Sequence, residues 1–99
     1  MAYDPGALET SLAAAVGDDI ALVAELRDAF LVSAESHALA MARAEGREAW
    51  RAAAWRLQGL AASFGALALM KLASAAAEGA VGDPAMLRRI GRAIAALGK

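Results

Sequence analysis

His37 is the only histidine and cysteine is absent, so nucleophilic or metal chemistry has very few side chains to draw on. An imidazole can accept a phosphoryl group or ligate a metal, but a metal site needs more ligands beside it, and no carboxylates cluster near His37 in the sequence. Ser33, Ser36, Ser63 and Ser74 lack the histidine and carboxylate partners of a triad, and no glycine-rich phosphate loop follows a strand. What stands out instead is a recognition surface. Trp55 lies among Arg51, Gln58, Gly59 and Ala62, a large aromatic ring set between small and polar residues at helical spacing. Tryptophan and arginine are the residues that most often anchor interfaces.

The elements that position these residues follow from periodicity. Asp4 and Pro5 mark a short first helix running to about Val16, where Gly17 offers a stop. Asp18 or Asp19 caps a second, long helix carrying Val23, Leu26, Phe30, Ser33, His37 and Met41 on one stripe and ending near Gly46. A third helix, about residues 47–64, turns inward Trp50, Ala53, Ala54, Leu57, Leu60, Ala61 and Phe64. Gly65 marks a turn. A fourth helix, about residues 66–78, carries Leu69, Leu72, Ala73 and Ala76. After Gly79 and Gly82, the Asp83-Pro84 pair starts a last helix with Leu87, Ile90, Ile94 and Leu97 inward.

No segment alternates with period two, so the expected fold is all-α: an antiparallel up-and-down four-helix bundle, one domain over residues 1–99, with the short first helix as a cap across one end. At 99 residues there is room for one core, and the 60% hydrophobic content is rich in alanine, which favours close helix packing. A net charge of −1 supplies no global field for nucleic acid or an anionic membrane. The longest charge-free stretch, Leu57 to Met70, is too short for a span of about 20 residues. The N-terminus shows no signal-peptide pattern, and the expected location is cytoplasmic.

Helical geometry places Trp55 about 200° from the centre of its helix's apolar stripe, and so toward solvent. Gly59, on the same outward face, costs about 0.8 to 1 kcal/mol relative to alanine, so either a neighbouring helix or an incoming partner must need the space. His37 shares the stripe of Phe30 and is expected at the bundle or its margin.

The run Ala54-Trp55-Arg56-Leu57-Gln58-Gly59, followed by small residues and then Gly65-Ala66, resembles the signature of histidine phosphotransfer (HPt) domains, where Ala-His-x-Leu-Lys-Gly precedes small residues and Gly-Ala. The resemblance extends in outline over the chain after about Ala7. It implies a phosphorelay module whose exposed histidine exchanges phosphate with the aspartate of response-regulator receiver domains. In this chain Trp55 stands at the phosphoacceptor position and Gln58 at that of the adjacent lysine. An indole nitrogen is a donor only and cannot attack phosphorus. The implied molecule is therefore not an enzyme. It needs no cofactor or metal and binds a receiver domain, or another component of a histidine kinase system, through Arg51, Trp55, Gln58, Gly59 and Ala62. Arg47, Arg51 and Arg56 could face the receiver's acidic pocket. A monomer is expected. The alternatives are active phosphotransfer through His37, or an oligomerising helical bundle anchored by Trp55.

Overall fold

The computed structural model describes Leu12, which is helical and buried, and residues 19–98. Among these residues the structure is helical with no strand. It comprises α1 (Ile20–Arg43), α2 (Arg47–Ser63), α3 (Leu67–Glu78) and α4 (Pro84–Leu97). The expected capping helix before Gly17 lies outside the described residues, apart from Leu12.

Each boundary has a local cause. The Asp19 carboxylate accepts the Leu22 N–H at 3.0 Å and caps α1. Asp83 does the same for α4, accepting from Ala85 and Met86, while Pro84 in the first turn forgoes an N–H that would have no helical partner. At the end of α2, Gly65 adopts φ 72°, the Ala66 N–H reaches back to the Ala61 carbonyl at 2.9 Å, and the Gly65 N–H bonds to Ala62. This is the six-to-one closure of a Schellman turn, and only glycine enters its left-handed position without strain. The α2–α3 connection is therefore short and sharp.

The helices contact one another in a closed cycle: α1 with α2, α2 with α3, α3 with α4, and α4 with α1. The largest fully buried side chains are Trp50, Phe30, Met41, Leu57, Leu69 and Ile90. Between them lie Ala34, Ala53, Ala54, Ala61, Ala73, Ala76 and Ala77, whose single methyl groups let backbones approach closely. The rings of Phe30 and Phe64 meet at 5.0 Å and 41°, joining α1 to the end of α2. Of the expected inward stripes, Leu60, Phe64, Leu72 and Leu87 are half-buried at the margins, and Ser33 and His37 are half-buried on α1, where Ala34 goes deeper.

The deepest polar contact joins α2 to the end of α3. Trp50 is fully buried, and its Nε1–H donates to the Ala76 carbonyl at 2.7 Å. That carbonyl belongs to the last turn of α3, where helical acceptors have no partner four residues on. Replacing Trp50 with Phe removes this donor and leaves the carbonyl with the Gly79 N–H alone, so unfolding measured in denaturant should show a loss of about 0.5–1.5 kcal/mol. Trp55→Phe, on the surface, should stay within about 0.5 kcal/mol of wild type.

Candidate functional site

Trp55 projects from α2 with 53% of its surface exposed, while Trp50, on the same helix, has none. Five residues at about 100° each put the two indoles about 140° apart, so burying one sends the other outward. Gly59, one turn beyond Trp55, is exposed, and a methyl group built on it meets nothing within 4 Å. Among the described residues, no neighbouring helix occupies the space, so crowding by them does not explain this glycine. Ala62 is exposed and Gln58 half-buried. The Ser63 hydroxyl donates to the Gly59 carbonyl at 2.9 Å, holding the backbone of this turn. Trp55, Gln58, Gly59 and Ala62 thus extend over two turns of α2, with open space above the glycine.

The arginines divide differently from the sequence expectation. Arg51 lies over the Trp55 ring, 5.4 Å from its centroid, and its Nε–H donates to the Ala77 carbonyl at 3.5 Å. Arg47 donates to the Gly79 carbonyl at 3.3 Å. Together with Trp50, these two residues bring three donors from the first turns of α2 onto the C-terminal end of α3, where carbonyls carry the negative end of the helix dipole. Arg56 is elsewhere: it borders a surface groove with Glu45 and Glu48, toward α1. Only Arg51 belongs to the Trp55 patch. Periodicity could not reveal the double use of Arg51, because its carbonyl partner comes from another helix.

His37 is half-buried on α1. The described residues contain no group of three or more His, Cys, Asp or Glu side chains able to hold a metal ion, and no helix among them is long and apolar enough to cross a membrane. The patch therefore offers stacking, hydrogen bonding and close approach. None of its groups is a nucleophile. Comparisons with family models, curated proteins and solved structures find no match to this chain.

The two indoles can be read separately in solution. In Trp50→Phe the remaining emission should be red-shifted and strongly quenched by acrylamide, whereas Trp55→Phe should leave a blue-shifted, protected signal. Equal quenching in the two variants would contradict the opposed orientations. Gly59→Ala, adding a methyl group in open space on a helix, should raise stability by about 0.8 to 1 kcal/mol in thermal or denaturant unfolding.

Proposed function

We propose that this chain is an HPt-like module of two-component signalling that docks a response-regulator receiver domain, or a related kinase component, and does not itself carry phosphate. The reading includes the finer architecture, an antiparallel up-and-down bundle, and a cytoplasmic place of action. The observation that carries it is the conjunction at α2: an outward tryptophan where the resembling family has its phosphoacceptor, and one turn later an exposed glycine with nothing above it.

The physical argument has three parts. Phosphoryl transfer from an aspartyl phosphate needs a nucleophile with an available lone pair, and the indole nitrogen's pair is committed to its aromatic system. The neighbouring ammonium that would offset phosphate charge is replaced by the neutral amide of Gln58. The features that let a flat partner approach, Gly59 and Ala62, remain. Trp55 adds what imidazole lacks, a large rigid apolar surface that loses little entropy on burial, with Arg51 supplying positive charge beside it. Such a module would sequester its partner, or hold it, without relaying phosphate.

Titration of receiver domains by calorimetry tests the docking. Wild type should bind, Gly59→Arg should bind at least tenfold more weakly because the side chain fills the approach, and Gly59→Arg should keep its helical circular dichroism. Equal binding by the two, or binding by neither, removes the proposal. The chemistry has its own check. On incubation with phosphorylated receiver, wild type should acquire no acid-labile phosphate. Label that disappears in His37→Ala would instead establish active transfer through His37.

A further inference from the structure

We infer that the groove between α1 and α4, on a different face from Trp55, is a self-association surface whose occupant is a second copy of this chain. The groove has two unlike walls. On the α1 side stand Leu31, Glu35, Leu39 and Ala42; on the α4 side stand Leu87, Gly91, Ala95 and Gly98. Gly98 sits against Leu31, a methyl group built on it lying 3.4 Å from the Leu31 Cδ1, so Leu87, eleven residues earlier on its wall, lies toward Ala42.

The walls are complementary to each other in shape. Leu39, on the α1 wall, is 49% exposed, an apolar knob on the groove. On α4 the corresponding level is occupied by Gly91, and a methyl group built on it meets nothing within 4 Å. Gly91 lies inside a helix, where glycine is unfavourable, and no contact within the described residues accounts for it.

They are complementary in charge as well. Between Arg27 and Arg43, α1 carries Asp28 and Glu35 and no cation. From Pro84 to Leu97, α4 carries no anion; Arg88 and Arg92 each follow a groove residue, Leu87 and Gly91, whereas Arg89 borders Lys71 on the α3 side. Glu35, Arg88 and Arg92 are exposed. A surface that is knobbed and acidic on one side, hollow and basic on the other, matches itself under a two-fold axis running along the groove. That operation lays α1 of each copy over α4 of the other at the same level. It seats Leu39 over Gly91 and brings Glu35 within reach of Arg92 of the second copy. A partner of one charge sign would meet repulsion on one wall, and a second copy meets none.

The groove is about 16 Å long, from eleven residues at 1.5 Å each, and a helix pair is about 20 Å wide. That is about 320 Å² on each copy, below what a stable dimer buries, so association should be weak, transient and sensitive to dilution. Trp55 remains free for the docking proposed above, and the two proposals stand or fall separately.

Sedimentation equilibrium of the full chain across a dilution series tests the inference. Wild type and Trp55→Ala should both shift from two-chain to one-chain mass on dilution. Gly91→Arg, which fills the hollow of an exposed helical position, should show one-chain mass throughout with unchanged circular dichroism, and Leu39→Glu should do the same. Glu35→Arg should weaken association at least fivefold, and Glu35→Arg with Arg92→Glu should recover most of it. One-chain mass for wild type at the highest concentration overturns the proposal. So does dimerisation that survives both Gly91→Arg and Leu39→Glu, or that is lost in Trp55→Ala.

Discussion

The hydrogen bond from the Trp50 indole to the Ala76 carbonyl fixes the rotational phase of α2, and most of what the molecule can present to a partner depends on that phase. A tryptophan buried completely can occupy only one side of its helix, because its polar nitrogen must find an acceptor in the interior. The end of α3 supplies one, the Ala76 carbonyl, which also accepts the Gly79 N–H at 3.1 Å and so takes two donors. With Trp50 locked, the helical repeat dictates that Ala53, Ala54, Leu57 and Ala61 follow it into the core and that Trp55 and Gly59 turn away.

The same contact recruits its neighbours. Arg47 and Arg51 reach adjacent carbonyls at the C-terminal end of α3, so guanidinium charge lies where the helix dipole is negative. Arg51 also lies over the Trp55 ring, which couples an internal helix end to an exposed aromatic surface. A side chain that caps one helix and supports a ring on another restricts the orientations open to that ring. Restricting them in the free protein lowers the entropy lost when a partner covers it. The alanines between the helices serve this arrangement by letting α2 and α3 approach closely enough for a side chain on one to reach the main chain of the other.

The helices themselves were legible because their signals are local. Asp19, Asp83-Pro84 and Gly65 act within a few residues of where they stand, and the observed starts and stops fall within a few residues of the expected ones. The outward position of Trp55 was equally legible, since periodicity along one helix decides it. The arginines were less so. Their spacing suggested one cluster, yet Arg47 and Arg51 turn toward the carbonyls that α3 brings near, while Arg56 borders a groove on the α1 side. Gly59 was ambiguous in sequence, compatible with a close helix neighbour or with none.

By itself, then, the order of residues determined the helical class, the helix limits and the face of α2 on which the exposed indole sits, because capping and amphipathic phase act through neighbours along the chain. Only the tertiary structure decided what surrounds those faces. It placed the carbonyls at the end of α3 beside Trp50, Arg47 and Arg51, left the space above Gly59 and Gly91 clear of the other described residues, and set Leu39 of α1 across a groove from Gly91 of α4. Those features depend on the distance and direction between separate helices, which periodicity within any one of them does not encode.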